Sequence, residues 1–408
     1  MIQKLALQHG ARVRAVTLPL LAAAILASDV SAMGSHPARL AHALRVPETM
    51  LVEALIDIRN NRLSSALERV DALLAIKPDF RLAQLVKGDL LMARARPIPT
   101  LGAAAAPADR LNDLREEARA RLVRYSVRPP KDYIPKYLLQ LQPEQRYAVV
   151  VDTAKSTLYL FENHDGEPRY LTDYYITVGK NGTNKVREGD KKTPLGVYHV
   201  TSQLPRERLD PFYGSGAFPI SYPNEWDTRQ GRNGHGIWLH GTPRDTYSRP
   251  PRASDGCVVL ANEDLDDLAK RVQIGLTPVV ITEHIEWVPA QAHRALRAAL
   301  SERLESWRLA WESRNTERYL QYYSHGFAAE NSDLARWSAQ KRRVNASKDW
   351  IKVDLSARSV FLYPGRDDLA VVAFWQDYSS SNMSNKMKKR QYWIREGTTW
   401  KIVYEGAA

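Results

Sequence analysis

Cysteine is almost missing from this chain of 408 residues. Cys257 stands alone, so no intramolecular disulfide can form, and a zinc site built on several thiolates is excluded. The N-terminal apolar run is too short to span a bilayer, which takes about 20 residues, and no later segment is apolar enough to do so. Acidic residues are outnumbered, 46 against 58 basic ones, and the net charge of +12 suits polyanionic surroundings such as a cell wall or an acidic membrane face. With 44% hydrophobic and 25% charged residues the chain is neither disordered nor collagen-like. At roughly 100–200 residues per domain, its length provides for two to four domains.

Residues 1–32 read as a signal peptide. Lys4, Arg12 and Arg14 form a basic start, the run from Ala15 to Ala27 carries no charge, and Val30-Ser31-Ala32 ends in the small residues that signal peptidase accepts. The expected location is the periplasm, with a retained anchor as the alternative, and nucleic acid is not an expected partner. In an oxidising compartment a lone thiol is either buried and inert or kept for its reactivity. The neighbours of Cys257 decide between these.

The periodicity predicts a multidomain α+β chain. Residues 40–125 are helical: Leu51, Ala54, Leu55 and Ile58 recur at helical spacing, then Leu63, Ala66, Leu67, Val70, Leu73 and Leu74, and after Pro78 a further set from Leu82 to Leu91. This resembles a tetratricopeptide-like array, which needs a second surface to cover its apolar faces. That surface is either a second copy of the chain, giving a homodimer, or the next domain, for which the helices serve as a prop. Ala95 to Pro107 reads as a linker and Leu111 to Val123 as a connecting helix.

Residues 136–288 are β-rich. Tyr147–Asp152 and Thr157–Phe161 flank a polar turn, a hairpin signal, and further runs follow at 173–178, 196–201, 236–239 and 277–282. One helix stands out after Asn262, which is placed to cap it. Residues 290–408 open with an amphipathic helix over 295–323 and continue as strands at 351–356, 359–363, 370–378, 388–396 and 399–405. That plan is α+β, and the final hairpin Tyr392–Tyr404 resembles those of nuclear-transport-factor-like cone domains.

The chemistry gathers around the thiol. The sequence Gly236-Ile237-Trp238-Leu239-His240-Gly241 precedes a loop rich in Pro and Arg, then Ser254-Asp255-Gly256-Cys257. A thiol attacks an amide carbonyl at neutral pH when an imidazole takes its proton, and Cys257 with His240 supplies that pair. Gly241 lets its carbonyl approach the second ring nitrogen of His240. The amides of Gly256 and Cys257 are candidates to face a developing oxyanion. A metal held by His235, His240 and Cys257 is disfavoured, because the odd spacing of the histidines along a strand sends them to opposite faces. No metal or cofactor is expected.

These motifs, with Val178-Gly179-Lys180 and Thr193-Pro194-Leu195-Gly196 upstream, resemble the signature of L,D-transpeptidase (YkuD-type) catalytic domains over roughly residues 145–283. The resemblance implies a β-sandwich-like domain acting on the stem peptides of peptidoglycan. Asp255 and Val259 depart from the commoner pattern and are similar to a branch that includes cell-shape L,D-carboxypeptidases, which join a helical dimerisation domain, a catalytic domain and a nuclear-transport-factor-like domain. That branch implies trimming of tetrapeptide stems, the alternatives being cross-linking, D-amino-acid exchange, or a wall-binding scaffold without activity.

Stem peptides carry free carboxylates, which Arg binds bidentately. Arg244, Arg249 and Arg252 in the loop after Gly241 are therefore substrate-binding candidates. Tyr213, His235 and Ser254 are expected to line the cleft. In the C-terminal domain Trp337, Trp350, Trp375 and Tyr378 are candidates for a glycan ligand.

Overall fold

The unbroken apolar run Tyr147-Ala148-Val149-Val150-Val151 cannot belong to a sheet with one wet face, since a half-exposed strand alternates. The computed structural model, which describes residues 46–103, 107–329 and 332–408, shows why. This strand lies in a sheet covered on both sides. Val149 and Val151 face a core with Leu158, Leu160, Ile176, Val258, Leu260, Val279 and Ile281. Ala148 and Val150, with Tyr159, Phe161 and Val280, face a second core shared with the C-terminal domain. The stretch read as an export signal lies outside the described residues. Among these no helix is long and apolar enough to cross a membrane.

The helical region comprises α1 (Val46–Arg59), α2 (Leu63–Ile76), α3 (Arg81–Met92) and α4 (Ala108–Ser126). Its core of Leu51, Ala66, Val70, Leu73, Phe80, Leu82 and Val86 also takes in Tyr247 and Ala261 from the β-rich region. The helices thus cover an apolar face with the next domain.

The central region is built of β1 (Tyr133–Pro135), β2 (Leu138–Gln140), β3 (Tyr147–Asp152), β4 (Thr157–His164), β5 (Glu167–Gly179), β6 (Gly196–His199), β7 (Ala217–Pro219), α5 (Glu225–Arg229), β8 (Trp238–His240), β9 (Arg252–Ser254), β10 (Val258–Leu260), α6 (Asn262–Ala269), β11 (Pro278–Thr282) and β12 (Trp287–Pro289). The sheet order is β6-β11-β3-β4-β5-β10-β8-β7, with β9 also pairing to β5. β5 changes partners along its length, pairing with β4 up to Tyr175, with β10 at Ile176 and Thr177, and with β9 from Val178. That switch brings β10 and β8 together and so builds the site.

The C-terminal domain contains α7 (Ala290–Glu312), α8 (Thr316–Leu320), β13 (Tyr323–Ala329), β14 (Ser332–Asp333), α9 (Leu334–Ala346), β15 (Ile351–Leu362), β16 (Leu369–Ser380), β17 (Met383–Glu396) and β18 (Thr399–Ala407). The single helix expected over 295–323 is two. Arg314 sits at φ +59°, and the Asn315 side chain accepts from the Arg318 amide to start α8. The two strands expected over 351–363 are one, interrupted by an irregularity between Ser356 and Ser359. The seven-stranded sheet runs β14-β13-β18-β17-β16-β15-β2. Its edge strand β2 comes from the span assigned to the central region, its Gln140 opposite Val360 and Leu138 opposite Phe361. The junction is further fastened by Trp226 stacked on Tyr392, 5.8 Å between centroids, and by Glu225, which accepts from Arg390 and from the Tyr392 hydroxyl.

Candidate active site

β8 and β10 run parallel, with Leu239 opposite Val258 and His240 opposite Val259. Cys257 comes just before β10, so it shares the face of Val259 and of His240, lying diagonally from the imidazole. The turn that delivers it depends on Gly256, at φ +126°. A Cβ there would stand 2.7 Å from the Lys192 carbonyl oxygen. Thr193 ties the turn down, its Oγ1 donating to the Gly256 carbonyl at 2.9 Å and accepting from the Gly179 amide at 2.9 Å.

His240 is buried. Its Nδ1 lies 2.7 Å from the Gly241 carbonyl. A carbonyl only accepts, so Nδ1 carries the proton and Nε2 keeps a lone pair able to accept one. Burial lowers the imidazole to about 4, opposed by the Gly241 hydrogen bond and assisted by the positive charge of Arg249. Burial likewise pushes the Cys257 thiol up to about 11, against the pull of the Trp238 backbone. The Cys257 thiol donates to the Gly236 carbonyl at 3.3 Å. The pair therefore rests as neutral thiol and neutral imidazole, not as a preformed ion pair.

This resting state makes a pH prediction. Alkylation of the free protein by iodoacetamide, a reagent that brings no base of its own, should be slow at pH 7 and climb steadily towards pH 10, because the thiolate fraction grows up to a pKa of about 11. With His240 as the base, the acid limb of turnover should fall well below the ordinary imidazole value of about 6.5, towards the lowered value of about 4. An alkylation rate already flat at pH 7 would show a preformed thiolate and overturn this reading.

The structure sorts the expected substrate-binding residues. Tyr213 packs its ring edge-on to His240 at 5.1 Å and against Trp238 at 4.8 Å. The Arg249 guanidinium lies 5.2 Å from the centre of the Phe212 ring, its Nη1 is buried without a partner, and its charge reaches both His240 and Cys257. Arg244 and Arg252 are exposed to solvent. His235 is exposed too, 3.6 Å from Glu188, and does not join His240 in a ligand set. Among the described residues no group of three or more His, Cys, Asp or Glu is placed to hold a metal ion.

Ser254 and Gly256 have a structural part. Ser254 Oγ donates to the Cys257 carbonyl at 2.6 Å and accepts from the Gly256 amide at 3.1 Å. The Gly256 amide is thereby engaged inside the turn, which leaves the Cys257 amide as the remaining oxyanion candidate of the two.

Asn262 is not the helix cap that its position suggests, because the N-cap of α6 falls on Ala261. The Asn262 side chain instead accepts from the Ser215 amide at 2.8 Å and donates to the Thr242 carbonyl at 3.0 Å. It therefore stitches the loop of Tyr213 to the segment following His240. A Cβ on Gly241 would stand 2.1 Å from its Oδ1, so glycine is required there for packing as well as for the carbonyl contact. Only the place of Asn262 beside a helix start signals a special role, and that signal points to the wrong one.

Against this geometry the comparisons are specific. Residues 146–281 match the profile of the L,D-transpeptidase catalytic domain, and residues 299–406 match that of the Cds6 C-terminal NTF2-like domain. Among solved structures, Bd1075 of Bdellovibrio bacteriovorus is 32% identical, with a TM-score of 0.61 over 68% of this chain and 98% of its own. The helical cell shape determining protein Pgp2 of Campylobacter jejuni is 27% identical, with a TM-score of 0.55 over 66% of this chain and 95% of its own. A mutant form of Pgp2 aligns over 74% of this chain and 100% of its own, at 25% identity and a TM-score of 0.57. A comparison with the curated proteins finds no match. The chain belongs to the L,D-transpeptidase family. In this chain the catalytic domain is followed by an NTF2-like domain, and its solved relatives include a helical cell shape determining protein.

Proposed function

We propose that the protein is a peptidoglycan L,D-carboxypeptidase that removes the terminal D-Ala from tetrapeptide stems through a thioester on Cys257. The observation that carries the reading is the His240 Nδ1 contact with the Gly241 carbonyl at 2.7 Å, on the strand beside that of the thiol. It fixes the tautomer that general-base catalysis needs.

In this mechanism the thiol turns from the Gly236 carbonyl to His240 Nε2, which takes the proton as Sγ attacks the carbonyl carbon of the third stem residue. The oxyanion is met by the Cys257 amide. On collapse the C–N bond breaks and His240 gives its proton to the departing D-Ala amine. A water then loses a proton to His240 and attacks the thioester, and the C–S bond breaks. The thiolate recovers the proton, for a net consumption of one water per tripeptide and D-Ala released. Arg249 receives a free carboxylate of the stem.

A trimming enzyme admits water to the thioester, whereas a cross-linking one holds a second, amine-bearing stem. The basic loop at 242–253 is poorly suited to a protonated amine. Incubation of the protein with tetrapeptide muropeptides and excess amine acceptor, with products resolved by mass, is the test. Tripeptide should dominate, and a majority of cross-linked dimer or exchange product would assign the acceptor to an amine.

Two partners accompany this reading. A second copy of the chain fits the helical region, which leaves Val46, Ile76 and Leu91 exposed. Glycan on the C-terminal domain is supported by the exposed Trp350 and Trp375. Tyr378 is instead a core residue stacked on Trp311, and Trp337 packs on Phe327.

A further inference from the structure

The loop that carries Arg249 rests on the helical region. Tyr247 packs on Phe80, 4.6 Å between ring centres, inside the helical core. Next to it, Ser248 Oγ donates to Glu117 Oε1 of α4 at 2.6 Å. Glu117 is already neutralised by Arg121, with Nη2 at 2.8 Å and Nε at 3.1 Å on the same oxygen. Arg121 also pairs with Glu48 of α1, and all three are almost wholly buried. The Arg121 guanidinium lies 3.8 Å from the centre of the Tyr175 ring. The Tyr175 hydroxyl in turn donates to the Arg249 carbonyl at 3.0 Å. Two routes therefore lead from one buried charge cluster to the backbone around a single arginine, one through Ser248 and one through Tyr175.

We propose that Ser248 and Glu117 are positioning residues, through which the helical region sets the placement of Arg249 for the substrate carboxylate. The proposal rests on the reading of Arg249 as a carboxylate receptor. The serine contact is separable from the fold, because Glu117 keeps its arginine when the hydroxyl is gone. A hydroxyl on a buried carboxylate is a charge-assisted bond and holds the loop in one place. Bidentate recognition by arginine tolerates little misplacement.

The experiment is steady-state kinetics on the full chain with tetrapeptide stems. Ser248→Ala should raise KM about tenfold while kcat changes by less than about twofold, the split of an interaction made equally in ground and transition state. Ser248→Thr, which keeps the hydroxyl, should restore KM. Arg249→Ala should raise KM on its own, and adding Ser248→Ala to it should raise KM no further, since residues acting through one another are not additive. Tyr175→Phe gives the same reading by the second route should Ser248→Ala fail to fold.

A KM unchanged in Ser248→Ala and Tyr175→Phe, with Arg249→Ala impaired, would overturn the positioning role and leave the receptor intact. An undiminished Ser248→Ala effect in the Arg249→Ala background would overturn it as well. If Arg249→Ala itself leaves KM unmoved, the receptor reading fails and the positioning of that residue fails with it.

Discussion

Cys257→Ser should abolish release of D-Ala, a loss of about 10⁴-fold or more of the kind seen when a nucleophile acting in concert with its base is removed. It should also abolish covalent labelling by carbapenem-type acylators. The thiol is the only one in the chain, so intact-mass spectra must show one adduct per molecule in the parent and none in the variant. A serine hydroxyl in the same turn is a far poorer nucleophile than a thiol. The turn itself should persist, since it is held by Ser254, Thr193 and Gly256 through atoms that the substitution does not touch. Labelling that occurs only after denaturation would make Cys257 a core residue and end the enzyme reading.

His240→Ala should lower turnover by about 10²–10⁴-fold, the range for general acid–base catalysis. His235→Ala should leave most of the activity, because that imidazole is exposed to solvent beside Glu188. The two substitutions together separate a base from a neighbouring histidine that shares its sequence context. Chelators should have no effect on the parent. A reversed order of the two histidine effects, or loss of turnover on chelation, would contradict the assignment.

The proposed catalytic pair can be picked out in sequence because its signal is local. His-Gly at a strand end and Ser-x-Gly-Cys before another strand carry their geometry in a few adjacent residues, and β-pairing brings the two ends together. The sheet is legible for a similar reason, since the short apolar runs Tyr147–Asp152 and Thr157–Phe161 around a polar turn read as a pair of strands. What stays hidden depends on distant partners. Three loop arginines look alike in sequence, and only the fold, which sets Arg249 against Phe212 and docks its neighbour Ser248 on Glu117, 131 residues before it, tells Arg249 apart. Asn262 looks like a cap because an Asn at a helix start usually is one. Its actual bonds run to Ser215 and Thr242, which no spacing rule connects. The amide of Gly256 looks free for an oxyanion until the hydroxyl two residues earlier is seen to claim it.

The edge strand β2 has a consequence for anyone dividing this chain. Sequence boundaries invite a cut near residue 290, yet the outermost ribbon of the C-terminal sheet is supplied from residues 138–140, and the His293 imidazole is hydrogen-bonded to the Leu138 carbonyl at 2.8 Å. A fragment starting at 290 would bare the end of β15 at Val360–Leu362, a short stretch of unpaired amides and carbonyls of the kind that recruits foreign strands. The catalytic fragment would lose the cover over Ala148, Val150, Tyr159 and Phe161 and present a greasy plate to solvent. The two halves are thus laced at both seams, so truncated forms should be sticky and short-lived.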